Sequence, residues 1–248
     1  MAVERIATPF TLPSQGLFYE GLPGGEVELY PIRVREEKVL SGMAQESFSK
    51  AINTLLRSCL KTDFDPSKMI LEDRFYLLLV LRVLSYGELY RFPIKCGSCS
   101  VKFQYKLDLN ALETKMANPE WAEPFATTLP VSGDKVEYRL LRATDEEEIS
   151  KLIRSSYTSL GTPPEGDQAY VYRLAFQVVS VNGKPLGLQE KLLWLDDLIG
   201  RDSAKLQSEM DSKSFGVDST VETKCPACGN EIVMAMPWSM EFFRPREV

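Results

Sequence analysis

Side chains alternate strictly after the first cysteine pair in "KCGSCSVKFQYKLDLN". Val101, Phe103, Tyr105, Leu107 and Leu109 point one way, and Lys102, Gln104, Lys106 and Asp108 the other. A period of two predicts a strand with one buried face. Upstream, "FYLLLVLRVL" (Phe75 to Leu84) is apolar almost throughout, which predicts a buried helix ended by Tyr86 and Gly87. Between Arg35 and Leu60, Ala51, Leu55 and Cys59 recur every fourth position, and Leu56 and Leu60 widen that face. This predicts an amphipathic helix with Glu36 and Glu37 at its positive N-terminal end. The opening stretch "FTLPSQGLFYEGLPGGEVELYPIRV" is cut by prolines and glycines, with Val27, Leu29, Ile32 and Val34 apolar. It reads as an irregular β-hairpin with Pro31 at an edge or bulge. "VYRLAFQVV" and "LQEKLLWLDDL" read as helices around a "VNGKP" turn. "ANPEWAEPFATTLP" reads as a link and "YTSLGTPPEGDQAY" as an exposed loop.

Two stretches echo each other. "TLPVSGDKVEYRLLRATDEEE" repeats the order of "TLPSQGLFYEGLPGGEVELYPIRVREE": Thr-Leu-Pro, a glycine turn, a Val-Glu strand, an arginine and an acidic helix start. Later, Gly87 and Gly216 each precede a cysteine pair by the same distance, and Lys95 and Lys224 stand directly before those pairs. Residues from about 10 to 115 and about 127 to 240 read as diverged copies. The fold expected is therefore α+β, with two pseudo-symmetric lobes. Each lobe carries a β-hairpin, helices and a knuckle-like β element. Residues 1–115 form the first lobe and 116–248 the second.

Composition narrows the chemistry. The chain has 248 residues, 44% hydrophobic and 26% charged, with a net charge of -6. An acidic chain argues against broad nonspecific DNA binding. No apolar run reaches the roughly 18 residues of a membrane span, and the N-terminus shows no signal-peptide pattern. There is no histidine. Ser-His-Asp and Cys-His catalysis are thereby excluded, as are histidine-bearing hydrolytic zinc sites. No Walker loop or dinucleotide fingerprint is present. A non-enzyme is the expectation.

Four of the five cysteines form two C-x-x-C pairs, Cys96/Cys99 and Cys225/Cys228. In a reducing cytoplasm such pairs suit a metal better than a disulfide. Zinc takes four thiolates in a tetrahedron, and one C-x-x-C turn aims two sulfurs at one ion. "CPACGN" has the form of a zinc-ribbon knuckle, and Gly97 and Gly229 ease the two turns. The expectation is one structural Zn2+ shared by both lobes. An iron-sulfur cluster, two reactive dithiols or metal-free thiols also fit the spacing. Cys59 falls on an apolar helix face and reads as core. The acidic run Asp145 to Glu148 reads as a solvated helix start. Six aromatic residues are candidates for partner binding. Phe18, Tyr19 and Tyr30 suit a hairpin core or an interface. Trp238, Phe242 and Phe243, in the tail, suit docking or packing back on their own lobe.

These residues carry a resemblance. Leu12-Pro13-Ser14, Gly16, Tyr19, Leu29-Tyr30-Pro31 and Arg35-Glu36-Glu37 resemble the N-terminal signature of the base plate protein family of T-even-like contractile-tailed phages. "FGVDSTVETKCPACGNEIVMAMPWSMEFFRP" is similar to the zinc-knuckle ending of related tail proteins. The resemblance implies a structural or assembly component of the tail baseplate, in its hub region. It would bind other tail proteins, reside in the virion and be assembled in the host cytoplasm. The alternative is a zinc-ribbon protein whose Lys95, Lys102, Lys106 and Lys224 touch nucleic-acid phosphates.

Overall fold

A computed structural model describes residues 5–41, 48–160, 168–238, 240–243 and 245. In chain order the elements are β1 (Thr8–Thr11), β2 (Glu26–Leu29), α1 (Val34–Ser41), α2 (Phe48–Cys59) and α3 (Leu71–Tyr86). There follow β3 (Leu89–Lys95), β4 (Lys102–Asp108), β5 (Thr114–Lys115), β6 (Phe125–Thr128), β7 (Lys135–Tyr138), α4 (Ala143–Leu160) and α5 (Gln168–Gln177). The chain ends with β8 (Val178–Val181), β9 (Lys184–Pro185), α6 (Leu188–Asp196), α7 (Gly200–Asp211), β10 (Gly216–Val217), β11 (Thr220–Lys224), β12 (Glu231–Ala235) and α8 (Met240–Phe243). The sheets are small: β6-β7-β8-β9 has four strands, and β1-β2, β3-β4, β11-β12 and β10-β5 have two each. The class is α+β.

Several local predictions hold. Helix α3 spans the apolar run and stops at Gly87, whose φ of 83° only glycine takes cheaply and whose N–H reaches back to the Val83 carbonyl. Strand β4 buries Leu107 and half-buries Phe103 and Tyr105, while Lys102, Gln104, Lys106 and Asp108 face out. The "VNGKP" turn joins β8 to β9, with Asn182 and Gly183 both at positive φ. Other predictions shift. "FATT" is strand β6, not a link, and the valine pair that ends "LAFQVV" opens strand β8. The helix expected from Arg35 to Leu60 comprises α1 and α2, and residues 42–47 between them lie outside the described residues. Of the expected loop after Tyr157, residues 161–167 also lie outside.

The two hairpins share one register. Phe10 pairs with Val27 and Thr11 with Glu26; Thr127 pairs with Val136 and Thr128 with Lys135. Each following helix is capped alike. The Arg33 N–H donates to Glu36 Oε2 at 2.9 Å, and the Arg142 N–H to Asp145 Oδ2 at 2.7 Å. Asp145 also takes both guanidinium nitrogens of Arg139 and is buried, so the acidic run is not solvated throughout. A second correspondence escaped the sequence reading. Asp73, third residue of α3, accepts the Ser14 N–H at 2.9 Å; Asp202, third residue of α7, accepts the Val131 and Ser132 N–H groups at 2.8 and 2.9 Å. Both carboxylates are fully buried, and each pins the backbone just after a Thr-Leu-Pro to a helix N-terminus.

Two apolar cores form among the described residues. The first gathers Leu12, Leu29, Leu55, Leu56, Leu77, Tyr90 and Phe92, with Val221, Met236, Phe242 and Phe243 arriving from the chain's far end. The second gathers Val136, Tyr138, Leu174, Val178, Leu206 and Phe215, with Ile70 arriving from the first half and Phe18 packed against it. Both cores thus draw residues from either side of position 115. Residues 69–73 join them: Leu71 N–H donates to Leu141 O, and Ala143 N–H to Met69 O.

At this joint Glu72 is half-buried beside Gly216, and its Oε2 is enclosed with no hydrogen-bond partner. Burial pushes its carboxyl up to about 7 from 4.5; Asp73 and Glu123 add to this, and its own N–H and Arg142 oppose it. A raised carboxylate favours folding fully below the unfolded value and loses that contribution as pH rises through the folded one. Stability is therefore expected to fall between pH 4.5 and about 7. Glu72→Gln should remove that slope and stabilise the protein at pH 8 by on the order of 2 kcal/mol. Urea unfolding at pH 5 and pH 8 checks it; equal slopes in both proteins would refute it.

Candidate metal centre

Each cysteine pair sits at the tip of a two-stranded hairpin, β3-β4 or β11-β12, whose inner face lies in or against the first core. The tips share their hydrogen bonding. Cys96 N–H donates to Val101 O at 2.9 Å and Ser100 N–H to Cys96 O at 3.0 Å; Cys225 N–H donates to Asn230 O at 2.9 Å and Gly229 N–H to Cys225 O at 2.9 Å. The position after each second cysteine is left-handed, with φ of 61° at Ser100 and 74° at Gly229. Gly229 serves the turn as expected. Gly97 does not take positive φ, and Ser100 fills that role in the first tip.

The fold brings the pairs together. Cys96 and Cys228 sulfurs lie 3.7 Å apart, Cys99 and Cys225 sulfurs 3.6 Å apart, and all four lie within 4.8 Å of one another. None is in a disulfide. A tetrahedron with zinc–sulfur bonds of about 2.3 Å has sulfur–sulfur edges of roughly 3.8 Å, so the four thiols are spaced to hold one ion. Cys96 and Cys225 are buried, and Cys99 and Cys228 are exposed. The Cys99 and Ser98 N–H groups hold the Cys96 thiol down, to about 7, and those of Cys228 and Ala227 lower Cys225. Cys99 rises to about 12: the Val101 N–H favours its thiolate, but the Cys228 sulfur, desolvation and the sulfurs of Cys225 and Cys96 together outweigh it. Cys59 is buried at 0% exposure and its thiol is pushed up to about 11 by burial, which makes it an inert core residue.

The aromatic candidates spend their contacts internally. Phe242 and Phe243 are 0% exposed and lie in the first core, so of the two readings of the tail these two rings follow packing within the chain. Phe242 packs on Tyr90 at 5.0 Å and on Trp238 at 4.6 Å, and Trp238 packs on Phe75 at 4.4 Å. Tyr19 donates to Asp73 Oδ2 at 2.8 Å and accepts the Ile70 N–H at 2.9 Å. Phe18 touches Phe125 and Phe215 of the second core. Tyr30 is half-buried under the Arg5 guanidinium, 4.9 Å from its ring centre. Sequence reasoning missed the buried Asp73 and Asp202. The signal was an Ile-x-x-Asp at the same offset as the cysteines, Ile70 to Asp73 and Ile199 to Asp202.

With this geometry in place, comparison with known proteins adds one match. A family model described as T4 bacteriophage base plate protein matches residues 11–244. No curated protein and no solved structure matches the chain.

Proposed function

The chain belongs to the T4 bacteriophage base plate protein family, a family of phage tail baseplate components, and we propose that it serves the hub region as a rigid connector between other tail proteins. The family match over nearly the whole chain carries this reading. Its work is to hold surfaces in fixed relation, which limits the entropy lost when partners dock. Two features support rigidity: cores that exchange residues between the chain halves, and a four-cysteine site at which both halves meet.

Cys96, Cys99, Cys225 and Cys228 would hold one Zn2+. A closed four-thiolate site supplies cross-linking and no open position for catalysis. Thiolates of a multi-iron cluster sit on separate irons, whereas sulfurs this close have the spacing to hold a single ion. Residues from about 10 to 115 and from about 127 to 240 would be diverged copies of one ancestral unit, within lobes 1–115 and 116–248. The shared hairpin register, the Asp73 and Asp202 anchors, and the constant offset of 129 positions (73 to 202, 96 to 225) support the duplication.

Mass spectrometry of purified particles and of isolated baseplate intermediates tests the role. The chain should be found in finished tails at a fixed ratio to other baseplate proteins. Finding it in intermediates alone would make it an assembly factor instead, and finding it in neither would refute the reading.

A further inference from the structure

The two knuckle hairpins share register and tip hydrogen bonding, yet their outer faces differ in charge. On β3-β4 the outward positions include Arg91, Lys95, Lys102 and Lys106, of which Arg91 is half-buried and the lysines exposed. Arg91 stands directly across from Lys106, and Lys95 across from Lys102. Side chains so paired lie about 5 Å apart at Cβ, and like charges there are destabilising. None of the four has an ion pair among the described residues, whereas Lys224 and Glu231 on the second hairpin bond at 3.2 Å. Lys224 is the counterpart of Lys95, and Glu231 that of Lys102, at the same offset of 129. Arg91 and Lys106 correspond to Thr220 and Ala235, which are neutral. The second hairpin therefore shows that this fold, with its cysteine tip, does not require the added charge. Balancing thiolate charge does not explain it, because one lysine before each cysteine pair already serves both tips.

We propose that the outer face of β3-β4 is a docking surface for a carboxylate-rich segment of another protein. Aspartates or glutamates laid along the hairpin would neutralise two self-repelling cross-strand pairs at once. A protein partner fits better than a nucleic acid. The hairpin aromatics Tyr90, Phe92, Phe103 and Tyr105 all point inward, leaving no platform for base stacking. The net charge of -6 also repels a long polyanion while leaving a short acidic segment free to meet the local face. The inference rests on the baseplate reading only for the class of partner, another tail protein.

The test uses the full-length protein with Lys102→Glu and Lys106→Glu together, which places a cross-strand ion pair at each repelling position. A control, Lys50→Glu with Lys68→Glu, makes the same charge change at exposed lysines elsewhere. Fluorescence anisotropy with a labelled oligoglutamate peptide should show salt-sensitive binding by wild type and control, weakened about tenfold or more in the hairpin variant. The hairpin variant should also melt at a higher temperature than wild type, a gain that loss of a structural role would not produce. Equal binding in all three proteins overturns the proposal, as does a less stable hairpin variant. Tighter binding of single-stranded oligothymidine than of the peptide overturns it in favour of nucleic acid. In phage carrying the hairpin variant, the chain should be missing from tails that incorporate wild type. Equal incorporation refutes the docking face, whereas absence of wild type itself from both tails and baseplate intermediates refutes the baseplate role.

Discussion

Protein purified without added metal is expected to carry about one zinc per chain, and Cys225→Ser is expected to loosen both halves of the molecule together. The sulfurs of Cys225 and Cys228 reach Cys99 and Cys96 across more than half the sequence, at 3.6 and 3.7 Å. Binding free energy at a structural zinc site is folding free energy, on the order of 10 kcal/mol near neutral pH. Removing one thiolate forfeits much of it and frees a long loop. The hairpin carrying the altered cysteine also supplies Val221 and Met236 to the first core, so the damage is not confined to the second half. Chelation with heating should reproduce the effect in wild type. Elemental analysis, limited proteolysis and thermal melting check these statements. A metal-free native protein with an unchanged melting point on chelation would refute the first. Cleavage confined to residues after 116 would refute the second.

Phe242→Ala is expected to cost about 3–5 kcal/mol, the usual price for emptying a buried phenylalanine site. The ring is fully buried among Tyr90, Trp238 and Phe243, each within 5.0 Å by ring centres. For a chain of this size the melting point should drop by about 10 °C. A surface role for the tail predicts the opposite pattern: an unchanged melting curve with lost partner binding. Differential scanning calorimetry separates the two.

Much of the candidate site was legible because its chemistry is local. C-x-x-C fixes two sulfurs on one turn, and the alternation after Cys99 places that turn on a hairpin whatever the rest of the chain does. The echo of Thr-Leu-Pro and of Gly87 with Gly216 was legible for the same reason, since each marks a backbone conformation. Contacts between distant segments were not. Nothing in "MPWSMEFF" distinguishes an aromatic tail that docks from one that packs, because burial depends on which face the rest of the fold leaves open. Asp73 and Asp202 read as ordinary acids near helix starts; only the folded chain shows that their partners are backbone N–H groups 59 and 71 positions away. Arg82 is similar. It looks like a break in an apolar helix, yet it is buried with its guanidinium on the Gly87 and Leu89 carbonyls at 2.8 and 3.0 Å.

The first core is completed by Val221, Met236, Phe242 and Phe243. The amino-terminal half therefore cannot close its core until residue 243 has left the ribosome. Until then that half waits with an open apolar gap, and a message truncated anywhere before codon 243 yields a product missing its latch. Such a product is ready material for host proteases, so the cell's quality control would sort whole copies from broken ones before any tail is built.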